Sequence, residues 1–196
     1  DAQESRGLGD VYKRQNGKFV GEVPAEASAL DDIRAGRELI RAKGLHREIT
    51  IEQSMYNQAV SFAKTSAELY ERGLKTVPRD GDALVPWIVN SSFCIEIYLK
   101  TLGKIFGVDL RGHKLHPLFN QLPAEAREMV LGAVPESLIE RGRTDVFDFA
   151  NSISQISDAF VEWRYCYEVE STNSVSIEDV IVIMHSLHKA LSLIHI

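Results

Sequence analysis

Cysteine is scarce in this chain: its two residues, Cys94 and Cys166, among 196 cannot make a disulfide framework. Both stand in apolar, helix-like surroundings and read as buried thiols of a reducing cytoplasm. Long apolar runs are missing too, since none approaches the ~20 residues that a membrane-spanning helix needs. Positive charge is in deficit, with 22 Lys and Arg against 28 Asp and Glu and a net charge of -6. Phosphate neutralisation by Lys and Arg supplies most nonspecific nucleic-acid affinity, so any RNA contact needs a local basic patch. Also lacking are a Gly-rich phosphate loop, a G-x-S-x-G elbow, an H-E-x-x-H pair and a C-x-x-C pair. Most enzyme classes are therefore unsupported, and neither a cofactor nor a metal is expected.

What the chain does have is helical periodicity, in a composition of 44% hydrophobic and 26% charged residues that suits a globular domain. Thr50 and Gln53 have capping-box spacing, and Tyr56, Val60, Ala63, Ala67, Tyr70 and Leu74 follow as the stripe of a first long helix. Pro78 to Asp82 is a turn. Asp82 is placed to cap a second long helix with Pro86 in its first turn, where the missing N–H matters little. His113 to Leu122 and Pro123 to Val134 predict two short helices, and Pro135 to Arg143 a surface connection. Val146, Phe149, Ile153, Ile156, Phe160, Trp163 and Tyr167 alternate by 3 and 4 and predict one long straight helix. A last helix is expected from Ser176, with Asp179 in its capping position and Ile177, Val180, Met184 and Leu187 as its core face.

The fold expected is all-α, an up-and-down bundle of four long helices with additional short ones over residues 51–190. Residues 16–50 read as a linker and a short docking helix from Leu30 to Lys43. The one strand-like stretch, Arg47 to Ile51, is too short to decide. Asp10 to Gln15 (DVYKRQ) and Leu191 to Ile196 (LSLIHI) resemble translated sequencing-adapter fragments. Residues 1–15 and 191–196 are accordingly expected to be artefactual tails.

The most informative stretch is Phe93 to Leu122, FCIEIYLKTLGKIFGVDLRGHKLHPLFNQL. In a helix, Ile88, Ser92, Ile95, Leu99, Leu102 and Phe106 form an apolar stripe, and Glu96 and Lys100 share a side with Phe93 at its border. Glu at i with Lys at i+4 is the favourable order. A surface pair would not normally be flanked by so much Ile, Leu and Phe. Lys100, Lys104, Arg111, His113 and Lys114 against Asp109 also make the densest basic patch. They equally suit a solvated loop and helix end, with Lys complementing the helix dipole.

This arrangement resembles the HEPN family (higher eukaryotes and prokaryotes nucleotide-binding), helical bundles with an E-x-x-L-K-A-L type run followed by an H-x-L-x-x-L segment. Here those are Glu96, Leu99, Lys100, Thr101 and Leu102, then His113, Leu115 and Leu118. The Arg-Tyr pair that often closes a long late helix in that family is matched by Arg164 and Tyr165 in FVEWRYCYE. The resemblance spans residues 54–190. It implies a homodimer, for which clustered Trp163, Tyr165 and Tyr167 are suited, in a prokaryotic setting of defence, toxin–antitoxin pairs or nucleotide-linked stress responses. RNA or a nucleotide would be the ligand, and a cognate antitoxin or a nucleotidyltransferase the protein partner.

The resemblance also implies how an active member would cut RNA, through an Arg followed by four to six residues and then a His that accepts or donates a proton near pH 7. Arg164 aligns with that Arg, but Val169, Glu170 and Ser171 stand where the His should be. Arg111 and His116 match the spacing at the wrong place in the fold, and His185 with His188 reads as a helix-surface pair in preference to a metal site. No catalytic residue is assigned, with Arg164 and His113 as candidates. The polar cluster expected at one end is Glu96, Lys100, His113, Lys114, Glu162, Arg164 and Tyr165, with Arg164 paired to a partly buried Glu96. The leading expectation is a non-catalytic binding module. A divergent metal-independent ribonuclease centred on Arg164, and a structural bundle of a larger protein, are the alternatives. His113 separates the first two: a ring buried as a helix cap disfavours the nuclease, and one beside Arg164 with both side chains facing a groove favours it.

Overall fold

The computed structural model of the chain describes residues 11–15, 18–23, 28–45, 49–135, 147–168 and 174–194. These residues are mostly helical, and they fall into two compact units that divide between Ile49 and Thr50. In the first unit, β1 (Val11–Gln15) and β2 (Lys18–Val23) form an antiparallel hairpin, with Val11 opposite Val23 and an irregularity between Lys13 and Arg14. The helix α1 (Ala29–Ala42) starts on Ser28, whose Oγ accepts the Asp31 N–H, and packs on β2. The first strand falls in the segment expected to be a tail and the second in the segment expected to be a linker. Their residues are mixed polar and apolar, without the clean alternation by which a half-buried strand is read.

The second unit is built around one helix. In α2 (Ile51–Leu69) the Thr50 hydroxyl accepts the Gln53 N–H at 3.1 Å, as the capping spacing predicted, and the helix widens into a π-helical turn at Tyr70–Leu74. Asp80 caps the short 3-10 turn Gly81–Ala83 by accepting the Asp82 N–H, and α3 (Leu84–Ile105) follows with no side-chain cap. The capping residue is thus Asp80 and not Asp82. From Trp87 to Gly103, α3 buries most of its surface, and it contacts α2, α4 (Leu115–Asn120), α7 (Ala159–Arg164) and α8 (Ile177–Leu193). Fully burying each of Ile88, Ile95, Leu99 and Leu102 contributes roughly 1.5–3 kcal/mol.

The chain leaves α3 through Gly107, in the left-handed region at φ 74°, and Val108 N–H returns to the Gly103 carbonyl at 2.7 Å. After α4, Pro123 precedes α5 (Ala124–Gly132), where the sequence placed a second short helix. The expected long helix over Val146–Tyr167 is not continuous. Val146 and 136–145 of the preceding connection lie outside the described residues; α6 (Phe149–Gln155) ends, residues 156–158 turn, and α7 begins anew. The reason is a tertiary hydrogen bond. The Ser157 carbonyl accepts the Leu115 N–H at 3.1 Å and its Oγ accepts the His116 N–H at 3.2 Å, so this turn caps α4. In α8 the N-cap is Ser176, which accepts the Asp179 N–H, while the Asp179 carboxylate accepts the Ser152 hydroxyl at 2.9 Å. No helix among the described residues is long and apolar enough to cross a membrane.

A Cβ on Gly103 would lie 2.7 Å from Leu110 Cγ and 2.8 Å from the Val108 carbonyl oxygen, whereas one on Gly132 meets nothing within 4 Å. Gly103→Ala is therefore expected to lose about 1–3 kcal/mol in urea unfolding, and Gly132→Ala to gain about 0.5 kcal/mol. A Gly103→Ala protein as stable as its parent would refute the close approach of the Val108–Leu110 loop to α3.

Candidate functional site

Glu96 is a carboxylate in the middle of the most buried helix, with its side chain 3% exposed. Two donors hold it. Lys100 Nζ, one turn along α3, lies 2.8 Å from Oε1, and His113 Nδ1 lies 3.1 and 3.2 Å from the two oxygens. Gly112 at φ 100° turns the chain so that His113 faces back to α3. Because a carboxylate only accepts, His113 donates from Nδ1, and Nε2 of the neutral ring keeps its lone pair. That ring is 61% exposed. It is not a buried helix cap.

The expected Glu96–Arg164 pair is not formed. Lys100 and His113 reach Glu96 from its own helix and the adjacent loop. Arg164, exposed at the end of α7, instead lays its guanidinium carbon 4.9 Å from the Phe160 ring centre and 4.6 Å from that of Tyr165. Such cation–π contacts contribute roughly 0.5–1 kcal/mol at exposed positions. Phe160 stacks on Phe93 at 5.3 Å and has the His113 ring 6.1 Å away, so Glu96, His113, Phe160 and Arg164 form one contact chain. Lys114 Nζ pairs with Asp158 Oδ1 at 3.0 Å, and Glu162 is half-buried on α7. The structure thus joins Glu96, Lys100, His113, Arg164 and Tyr165, with Phe160 and Phe93 added, and holds Lys114 on Asp158 as a separate pair. Phe160 had been assigned to the apolar seam, and only its aromatic character beside Arg164 could have flagged it.

The remaining candidates part from these. Val169, Glu170 and Ser171 lie outside the described residues. Arg111 is exposed on Asp109 at 3.2 Å, and His116 accepts Asn120 Nδ2 at 3.0 Å through Nε2. The exposed rings of Tyr165 and Tyr167 meet edge-on at 6.3 Å, while Trp163 packs partly buried against the core. Among the described residues no three His, Cys, Asp or Glu side chains converge as metal ligands do. His185 is exposed, but His188 is not the surface residue expected. Its Nδ1 lies 3.0 Å from the Tyr98 hydroxyl, its ring stacks on Tyr56 at 5.6 Å, and burial, helped by His185, lowers its pKa from 6.5. Burial also pushes the Cys94 thiol up to about 12, and Cys94 donates to the Ala59 carbonyl; Cys166 is only half-buried.

Comparison of the chain with protein-family models, with curated proteins and with solved structures gave no match in any of the three.

Glu96→Ala strands the Lys100 ammonium beside an apolar helix and is expected to cost about 3 kcal/mol in urea unfolding at neutral pH. His113→Ala, which removes an exposed ring, should cost under about 1 kcal/mol. Equal losses would contradict the burial of Glu96. His188 gives a pH signature. Its folded pKa lies below the ordinary 6.5, so the unfolded chain takes up the proton first and stability falls as pH drops through 6.5 and the lower folded value. Between about pH 7.5 and 5.5, His188→Gln should lose less stability than the parent protein; identical pH profiles would remove His188 from the linkage.

Proposed function

We propose that the chain is an HEPN-like helical module, with the bundle arrangement of that family, that binds RNA or a nucleotide through the face made by His113 and Arg164. The observation that carries this reading is the Arg164 guanidinium. It is exposed, it rests on two aromatic rings, and it has no carboxylate partner among the described residues. Lys100, Arg111 and Lys114 are each engaged by an acidic side chain, whereas the N–H groups of the ring-supported Arg164 are free for a planar phosphate contact. Rings that hold it in place reduce the side-chain entropy lost on binding. An acidic chain gains little from diffuse charge, which makes affinity depend on this one face. Exposed Tyr165 and Tyr167 beside it suit a homodimer seam. A cytoplasmic setting in prokaryotic defence, toxin–antitoxin control or stress signalling, with an antitoxin or nucleotidyltransferase partner, belongs to the same proposal.

A second reading, a metal-independent ribonuclease, is favoured by one feature. The Glu96–His113 contact fixes the ring and leaves Nε2 exposed as a proton acceptor, which is what a general base for a 2′-hydroxyl requires.

One set of samples tests both. By fluorescence anisotropy with a labelled oligouridylate, Arg164→Ala is expected to bind about tenfold more weakly, with Arg111→Ala unchanged. Equal binding by the Arg164 variant overturns the proposal. Strand cleavage that disappears in both Arg164→Ala and His113→Ala would establish the nuclease reading, and no cleavage would leave the binding module.

A further inference from the structure

A cavity of about 520 Å³ lies among α2, α3 and α8 and shares no residue with the Glu96 face. Its size is that of a small-molecule site. Tyr70, Trp87 and Tyr98 supply aromatic walls, and Val60, Ile181 and Met184 the aliphatic ones.

Two polar atoms in this apolar lining need an occupant. Ser66 is 2% exposed, and its hydroxyl has no hydrogen-bond partner. Ser61 and Thr65 of the same helix donate to the carbonyls one turn back, so the open hydroxyl is particular to the residue lining the cavity. A buried hydroxyl left unpaired is unfavourable, and a ligand atom that meets it relieves this. The second atom is His188 Nε2. The Tyr56 hydroxyl bonds Ser192 Oγ at 3.0 Å, and Ser192 donates to the His188 carbonyl at 2.8 Å. The Tyr98 hydroxyl at 3.0 Å and the Tyr56 hydroxyl at 3.4 Å both face His188 Nδ1; with a hydroxyl donating to Nδ1 the ring proton sits on Nε2, which has no partner among the described residues.

Charge narrows the ligand further. Among the lining residues Lys64, Glu71 and His185 are charged or titratable beside His188 and the tyrosines, and Glu71 is paired with Lys75 at 2.8 Å. No buried cation or carboxylate stands in the lining to receive an ion. We propose that this cavity binds an uncharged, flat aromatic molecule carrying a carbonyl-type acceptor. Its ring would lie against Tyr70, Trp87 and Tyr98, and its carbonyl oxygen would accept from His188 Nε2 or Ser66. A bare hydrocarbon leaves both donors unpaired, and a carboxylate is desolvated without a counter-charge.

The probes are coumarin, naphthalene and coumarin-3-carboxylate, titrated into the full chain by ligand-observed NMR. Coumarin should saturate with a Kd on the order of 0.1–1 mM, and the other two should bind at least about tenfold more weakly. Ala67→Trp, at an exposed lining position, should abolish coumarin binding with the unfolding midpoint unchanged; Ser66→Ala should weaken it about threefold. Failure to saturate, equal binding of naphthalene or the carboxylate, or binding that survives Ala67→Trp would overturn the proposal. So would a dimer broken by Ala67→Trp in a chain that ignores coumarin, which would give the cavity to a second copy.

Discussion

Burying one carboxylate constrains much of the second unit. A charge with 3% exposure, such as Glu96, is tolerable only if donors surround it. One donor, Lys100, comes from the same helix and needs nothing beyond helical geometry. The other, His113, requires the chain to leave α3, reverse, and return its ring to the helix it has left. Gly107, the short Val108–Gly103 hydrogen bond and Gly112 accomplish that reversal. Once His113 is placed, α4 must begin immediately afterwards. Its first free N–H groups are then met by Ser157, and that contact sets where α7 starts and where Phe160 and Arg164 end up. Glu96 therefore influences the position of an arginine it never touches.

Much of this was legible in the sequence, for local reasons. The cap at Thr50, the boundary at Pro123 and the start at Ser176 depend on residues within one turn of each other. The Glu96–Lys100 pair is visible because i and i+4 always meet on a helix. The break at residues 156–158 was not visible. A 3 and 4 alternation records which side of a segment is buried, and that side remains the same whether or not the helix is interrupted. What interrupts it is a carbonyl claimed by Leu115, a residue distant in sequence. The misassigned Arg164 has the same origin: charge suggested a carboxylate partner, but Lys100 and His113 already filled that carboxylate, and the neighbouring rings offered a surface instead.

His185 and His188 show the same limit. Their spacing is that of neighbours on a helix surface, yet only one is exposed. The difference arises because α8 crosses α3 at Tyr98, an aromatic residue that the apolar stripe of α3 did not single out. A histidine between two tyrosine hydroxyls is a tertiary fact. Only the identity of the three side chains, without their meeting, is present in the sequence.

The two thiols differ in a way that reaches beyond packing. Cys94 is enclosed, donates to a carbonyl, and has its pKa pushed up to about 12, so it holds almost no thiolate at neutral pH. Cys166 is partly open to solvent and sits two positions beyond Arg164. An electrophile or oxidant meeting the folded chain is thus directed to one sulfur, beside the candidate phosphate-binding arginine. The fold carries a natural attachment point for a spectroscopic label at the place where binding would be read.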